Sequence, residues 1–162
     1  MSATGEEGIL GKAEAVIEHI GAGGTLRGLL EIGDDELEAI YAVAYNHFTA
    51  RKFDKAIDLF KFLCLYDHTE PRWFYSLGIA QQQAGDHEGA LNSYGVATIL
   101  DVEDPRPQAQ AGYCLMALGR WKEAKDAFDG ATIACGDDPV HAGVKKQCES
   151  MLTAVEKNVK PE

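Results

Sequence analysis

The chain has 162 residues, and its 15 lysines and arginines stand against 26 aspartates and glutamates, so the formal net charge at pH 7 is -11. Such a charge would repel a phosphate backbone, which disfavours nucleic-acid binding. With 46% apolar and 25% charged residues the composition is that of one globular domain, and the apolar runs are too short to cross a bilayer.

The first 36 residues form an acidic flank. They contain eight acidic residues against only Lys12 and Arg27. The N-terminus is acidic where a secretory signal would be basic, and no long apolar segment follows it. We therefore expect a cytoplasmic protein whose segment 1–36 is helical in part and otherwise flexible.

Two short helical elements are predicted within this flank. The first has an apolar stripe at helical spacing, formed by Ile9, Leu10, Ala13, Val16, Ile17 and Ile20. The glycine-rich segment 21–24 ends it. Thr25 is predicted to cap a second turn that ends at Gly33, and Asp34 or Asp35 to cap the next helix. The exposed stripe predicts packing against the repeats or against a second copy.

A 34-residue repeat organises the middle of the chain. Ala56 recurs as Ala90 and Ala124. An aromatic residue follows each alanine by four positions, at Phe60, Tyr94 and Phe128. The helix before each alanine carries a small residue, at Ala44, Gly78 and Gly112. Small residues beside large ones let two helices pack closely, and this period is typical of tetratricopeptide repeats.

We predict an all-α, right-handed solenoid with three tetratricopeptide repeats at 37–70, 71–104 and 105–138. Each helix pair leaves an apolar side that the next pair must cover, so about three units are needed for stability. The turn glycine of the second and third units, Gly85 and Gly119, is replaced in the first by Arg51.

Segment 139–162 is predicted to be a capping helix with a short tail. Pro139 opens it. Its apolar side consists of Val140, Val144, Cys148, Met151, Leu152 and Val155. Such a helix would cover the last repeat, as the end of a solenoid requires.

No pattern of catalytic or metal-binding residues is found in the sequence. Its four cysteines, Cys64, Cys114, Cys135 and Cys148, form no C-x-x-C pair, and we expect at least Cys64 and Cys114 to be buried thiols. The five histidines are scattered, and no H-E-x-x-H, G-x-S-x-G or phosphate-binding loop occurs. We therefore expect no enzyme activity, no metal and no cofactor.

The first helices of the repeats are predicted to line a concave groove. In the first unit Tyr41, Tyr45 and Phe48 lie on one helix face, beyond the packing face formed by Ile40, Val43, Ala44 and His47. The same repeat positions hold Tyr75, Ile79 and Gln82 in the second unit, and Ala109, Tyr113 and Met116 in the third. A surplus apolar face indicates a partner, and an extended peptide fits this shape. The alternative is that the N-terminal helices cover these aromatic residues.

Several short motifs add to the repeat pattern. They are Gly23-Gly24-Thr25-Leu26, residues 37–45, Leu63-Cys64-x-x-Asp67-His68, residues 72–78, Tyr94-Gly95 and Pro105-Arg106. The Leu-Cys-x-x-Asp-His segment and the Tyr-Gly pair are more specific than the repeat itself. On these motifs, over about residues 20–155, the chain resembles the class II chaperones of type III secretion systems. Those tetratricopeptide proteins hold the two hydrophobic, pore-forming translocator proteins in the bacterial cytoplasm before export.

The resemblance implies a non-enzymatic role with translocator proteins as partners. Family members bind a short extended motif near the translocator's N-terminus, similar to proline–x–leucine–x–x–proline, in the concave groove. Similar proteins can self-associate through the N-terminal helices, so the resemblance is compatible with a homodimer. By position, the implied peptide-binding pockets are formed by Tyr41, Tyr45, Phe48, Tyr75 and Ile79. The implied polar rim is Arg72, Gln82 and Gln83, and Tyr113 extends the groove.

The rival interpretation is a generic tetratricopeptide adaptor or co-chaperone scaffold that binds another peptide, such as an acidic C-terminus. Such a clamp needs several basic residues in its groove. The second repeat offers Arg72 against Asp86, Glu88, Asp101, Glu103 and Asp104. This charge balance disfavours the clamp.

Overall fold

A computed structural model describes residues 15–158, and every regular element in that range is helical. The helices are α1 (residues 15–21), α2 (Leu26–Leu29), α3 (Asp34–Thr49), α4 (Phe53–Tyr66), α5 (Pro71–Gln83), α6 (His87–Leu100), α7 (Pro105–Ala117), α8 (Trp121–Cys135) and α9 (Ala142–Glu156). From α3 onward each helix packs against the next one along the chain. The predicted all-α fold is confirmed, while the N-terminal part of the first stripe (Ile9, Leu10, Ala13) lies outside the described residues.

The helix starts agree only in part with the predicted caps. Thr25 does cap α2, because its hydroxyl oxygen accepts a hydrogen bond of 3.0 Å from the Gly28 amide. The prediction that Asp34 or Asp35 caps α3 is wrong. Gly33 is the N-cap residue, and its amide donates to the Glu36 carboxylate at 2.6 Å. Both aspartates lie in the first turn, where their charges favour the helix dipole.

Close helix approach explains the small residues of the repeat. A Cβ atom added to Gly78 would lie 2.5 Å from the Tyr94 ring, and one added to Gly112 would lie 2.7 Å from the Phe128 ring. Tyr94 and Phe128 are fully buried. In the second and third repeats the aromatic ring of the second helix therefore occupies the space that a side chain on the first helix would need.

Replacing Gly112 by alanine should lower the free energy of unfolding by about 1–3 kcal/mol, because the buried Phe128 ring would have to move. Gly95→Ala is the matched control, since Gly95 is exposed in α6 and an added Cβ meets nothing within 4 Å. That change should stabilise the protein by about 0.5–1 kcal/mol through helix propensity. Urea unfolding followed by circular dichroism measures both, and effects of the same sign would contradict the packing described.

The core crosses the boundaries between repeats, because two of the buried clusters combine residues of neighbouring repeats. Trp73 and Leu77 of α5 join the cluster of α3 and α4, and Cys114 of α7 packs with Tyr94 of α6. The sequence pattern predicts that Val43 belongs to the packing face of α3, but its side chain is 48% exposed. The packing face of α3 is therefore narrower than its sequence pattern indicates.

All four cysteines are buried free thiols, as predicted for Cys64 and Cys114. Burial raises the pKa of Cys64 to about 12 and the pKa values of Cys114 and Cys148 to about 11. These thiols therefore stay protonated at neutral pH and behave as small apolar side chains.

The C-terminal helix covers α8, with Cys148 and Val155 fully buried against it. Its start differs from the prediction. Pro139 begins a short 3-10 turn (Pro139–His141), and α9 begins at Ala142. Val140 is 82% exposed, so this residue is not part of the apolar side that packs on the last repeat.

Arg27 ties the N-terminal flank to the first repeat. Its guanidinium donates to the Ile32 carbonyl at 3.2 Å and to the Asp67 carboxylate at 3.3 Å, and it also pairs with Asp34. Asp67 is buried and accepts two further hydrogen bonds from Thr69, one from the amide and one from the hydroxyl. Burial by itself would raise the pKa of the Asp67 carboxyl, but the bonds from Thr69 and Arg27 lower it below its ordinary value.

This lowered pKa predicts an acid-sensitive contribution to stability. The contribution is present above the unfolded-state pKa, about 3.9, and is lost as the pH falls through the lower folded-state pKa. Asp67→Asn should cost about 1–2 kcal/mol at pH 7 and should lose less further stability on acidification than the wild type. Unfolding free energies measured between pH 3 and 7 check this, and parallel curves for both proteins would contradict it.

Candidate functional site

A groove of about 440 Å³ lies beside helices α3 and α5 and the start of α7. Its apolar wall is formed by Tyr41, Tyr45, Phe48, Phe60, Tyr75 and Ile79. Its polar end holds Glu70, Arg72, Asp101, Asp104 and Arg106. The site thus combines an aromatic surface with a charged end where two repeats meet.

The aromatic row on α3 follows from helical spacing. Tyr41, Tyr45 and Phe48 are three or four residues apart, and successive ring centroids lie 6.4 and 6.3 Å apart. The Tyr41 ring packs against the rings of Phe60 and Trp73, with centroid distances of 5.8 and 5.5 Å. Tyr45 is 52% exposed. The row is therefore fixed at one end and open to a ligand at its centre.

The two arginines at the polar end lie over aromatic rings. The Arg72 guanidinium is 4.3 Å from the Trp73 ring centroid and 4.9 Å from that of Tyr41. Arg106 lies 5.3 Å from the Tyr75 ring centroid. Such cation–π contacts hold the guanidinium planes against the groove wall.

Each of these arginines also has a carboxylate of its own. Arg72 pairs with Glu38, and Arg106 forms a bidentate pair with Asp104 at 2.9 Å from Nε and 2.7 Å from Nη2. Burial would raise the pKa of Asp104, but the hydrogen bonds from Arg106 bring it below its ordinary value. Burial raises the pKa of Tyr75, so the phenol is neutral at pH 7. The polar end therefore has little free positive charge.

Six of the residues predicted for the site line this groove together: Tyr41, Tyr45, Phe48, Arg72, Tyr75 and Ile79. The other three do not line it. Gln82 accepts a hydrogen bond of 2.6 Å from the Tyr94 hydroxyl, Gln83 is exposed near the end of α5, and Tyr113 packs edge-on against Phe128. A role for these three in a longer ligand site stays a prediction.

The sequence predicts a third-repeat contribution to the groove from Ala109, Tyr113 and Met116, but the residues of that repeat that line it are different. Arg106 and Pro107 line the groove, whereas Ala109 is buried. The signal was the Pro-Arg pair, which occurs at residues 71–72 and again at 105–106. Because both pairs start the first helix of a repeat, the two arginines come to lie at one end of the groove.

The described N-terminal residues do not cover the aromatic row. Helix α2 packs against α4, and α1 is linked to it by a contact of 3.0 Å between the His19 ring and the Thr25 carbonyl. Half of the Tyr45 surface remains exposed to solvent. Within residues 15–158 there is no cluster of metal-ligating side chains, and no helix of that range is long and apolar enough to span a membrane.

These features define a tetratricopeptide-repeat protein with an open apolar groove. The family model for this repeat matches residues 37–69 and 74–104. Over 133 residues the chain is 34% identical to the low calcium response locus protein H of Yersinia pseudotuberculosis, covering 82% of this chain and 79% of that protein. The type III secretion chaperone SycD is also 31% identical over 78% of this chain. The chain therefore belongs to the family of tetratricopeptide chaperones of type III secretion, which confirms the resemblance seen in the sequence.

Solved structures agree with this assignment. The type III secretion chaperone SycD of Yersinia enterocolitica, in complex with a peptide of the translocator YopD, is 31% identical with a TM-score of 0.74, covering 78% of this chain and 97% of that one. SycD has also been solved as an alternative dimer, with the same identity and TM-score and 78% and 96% coverage. PcrH of Pseudomonas aeruginosa, in complex with the chaperone-binding region of PopD, is 33% identical with a TM-score of 0.75, covering 78% and 95%.

Proposed function

We propose that the chain is a cytoplasmic chaperone of a type III secretion system that binds hydrophobic translocator proteins before their export. It holds an extended segment of the translocator in the groove lined by Tyr41, Tyr45, Phe48, Tyr75 and Ile79. The observation that carries this proposal is the open aromatic row, in which Tyr45 is half exposed beside neighbours fixed by the core. The structures of SycD with a YopD peptide and of PcrH with a region of PopD support it.

The shape of the groove favours an extended peptide. A volume of about 440 Å³ admits a few side chains but no folded element. Aromatic walls supply affinity by excluding water from apolar anchors, and the charged end supplies orientation. In this arrangement the chaperone recognises a short segment without requiring the translocator to be folded.

A clamp for acidic C-terminal peptides is the second candidate, and the structure gives it little support. Such a clamp needs cations free to bind a carboxylate. Arg72 and Arg106 already pair with Glu38 and Asp104, and Glu70 and Asp101 also line this end of the groove. The balance of charge there favours a ligand held mainly by apolar contacts.

Co-expression tests the proposed function most directly. A translocator encoded beside this chain should be soluble and should co-purify with it, whereas alone it should aggregate. The Tyr45→Ala variant is the matched control, because its fold is expected to be intact while its groove is weakened. Equal aggregation of the translocator with and without the chain would reject the chaperone role.

The N-terminal flank is proposed to mediate a homodimer. Ile17 in α1 is 71% exposed and Leu30 after α2 is 56% exposed, so an apolar surface is available there. Deleting residues 1–20 should reduce a dimeric mass in light scattering to that of a monomer. An unchanged mass with lower thermal stability would instead place this segment against its own repeats.

A further inference from the structure

The turn between α3 and α4 carries a cluster of unpaired positive charge. Arg51, Lys52 and Lys55 form no ion pair within the part of the chain that the structure describes. They line a second depression, of about 410 Å³, together with Phe53, Ala84 and the single acidic residue Asp54. In a chain of net charge -11, this depression is locally cationic.

This basic turn is continuous with the groove. Phe48 ends the aromatic row, and its ring centroid lies 5.8 Å from that of Phe53, which lines the basic depression. From Tyr41 to Phe48 the helix rises by about 10 Å, which an extended peptide spans with three or four residues. A peptide that follows the row past Phe48 therefore meets the basic turn.

The opposite end of the groove differs in charge. There Arg72 and Arg106 are paired with Glu38 and Asp104, and Glu70 and Asp101 add negative charge. One end thus presents free cations and the other presents neutralised cations with additional carboxylates. This asymmetry distinguishes the two directions in which a charged peptide could lie.

We propose that the segment bound in the groove carries acidic residues next to its apolar anchors, and that Arg51, Lys52 and Lys55 bind them. The proposal rests on the proposed function and adds to it a specificity and a direction. The apolar anchors fill the aromatic row, and the acidic flank leaves the groove over Phe53. The basic turn then selects among segments that have similar anchors.

The backbone conformation of Arg51 allows its charge to be removed without loss of stability. Its φ of 59° lies in the left-handed region, where the other two repeats have glycine, Gly85 at 86° and Gly119 at 71°. Arginine is strained in this conformation and glycine is not. Arg51→Gly should therefore remove one charge while the protein melts at the wild-type temperature or above it.

The probes are four peptides built on the N-terminal translocator segment that co-purifies with the chain. Three glutamates or three glutamines are added at one terminus or at the other. By calorimetry at about 50 mM salt, where surface charges are weakly screened, glutamates at one terminus should tighten binding about tenfold over glutamines. Glutamates at the other terminus should give no gain, and at about 0.5 M salt the tenfold gain should largely disappear.

Two triple variants distinguish an effect of the basic turn on binding from an effect of the net charge of the chain. The turn variant R51G/K52Q/K55Q should lose the glutamate gain and bind the glutamine peptides with wild-type affinity. The control K61Q/K146Q/K157Q removes three charges from exposed lysines elsewhere and should keep the gain.

Binding of all four peptides with no advantage for glutamate would overturn the acidic flank and leave the groove intact. Failure of every peptide to bind would reject the groove and this inference with it. Equal glutamate gains in the turn variant and the wild type would also overturn the proposal. A smaller mass of the turn variant in light scattering, with unchanged peptide binding, would assign the turn to contacts with a second copy instead.

Discussion

Replacing both Tyr45 and Tyr75 by alanine should weaken binding of the translocator's N-terminal peptide by roughly a thousandfold. Each lost aromatic contact in a peptide pocket costs on the order of 2 kcal/mol, and two independent losses add. The two rings lie on different helices, α3 and α5, and both line the groove. Calorimetric titration of the peptide into the wild type and the double variant measures the loss.

The structure predicts different effects of the two changes on stability. Tyr45 is half exposed and contacts the Tyr41 and Phe48 rings, so Tyr45→Ala should lower the free energy of unfolding by only about 1 kcal/mol. Tyr75 packs against the buried Tyr94, with ring centroids 5.9 Å apart, and under Arg106. Tyr75→Ala should therefore cost some stability as well as affinity, and melting curves must accompany the titration.

Tyr66→Ala is the matched control for the loss of a tyrosine. Tyr66 stacks on Phe62 of the same helix, with ring centroids 4.1 Å apart, and does not line the groove. Its removal should leave peptide binding unchanged. A double variant at Tyr45 and Tyr75 that is folded at the titration temperature and binds as tightly as the wild type would place the ligand elsewhere, on the convex face or the N-terminal helices.

The parts of the site that lie on one helix could be predicted from the sequence. Helical spacing alone places Tyr41, Tyr45 and Phe48 on one face. The 34-residue period predicts the equivalent face at Tyr75 and Ile79 in the next unit, and all five residues line the groove.

The same period does not identify the groove residues of the third repeat, and the geometry of the solenoid explains why. Repeats in a solenoid are rotated relative to one another, so equivalent positions do not lie on one straight line. Tyr113 packs against Phe128 outside the groove, while Arg106 and Pro107 at the start of α7 reach it. The period identifies equivalent residues, but the rotation between repeats decides which of them meet.

Local competition explains the smaller differences. The run of acidic residues at the start of α3 is compatible with several N-cap residues. Asp34 pairs with Arg27, and the capping contact is made between Gly33 and Glu36. Val43 is apolar yet 48% exposed, so the spacing of apolar residues does not by itself fix the width of the buried face of α3. Such outcomes depend on partners that are distant in the sequence.

Replacing Phe128 by alanine should have the largest effect on stability, with a loss of about 3–5 kcal/mol. Phe128 is fully buried where α7 and α8 approach, and its ring contacts the position of Gly112 and the ring of Tyr113, at 5.2 Å. Urea unfolding measures the loss. Phe62→Ala on the outer side of α4, where the side chain is 36% exposed, is the control and should cost clearly less.

Combining Phe128→Ala with Gly112→Ala tests whether the Phe128 ring is what excludes a side chain at position 112. With the ring present, the added methyl group clashes and destabilises. Without the ring, the same methyl group enters the cavity and replaces an unfavourable helix glycine, so Gly112→Ala should become stabilising by about 0.5–1 kcal/mol. This change of sign corresponds to an interaction energy of about 1.5–4 kcal/mol in the double-mutant cycle. Additive effects would show that the glycine serves another purpose than the close approach of α7 and α8.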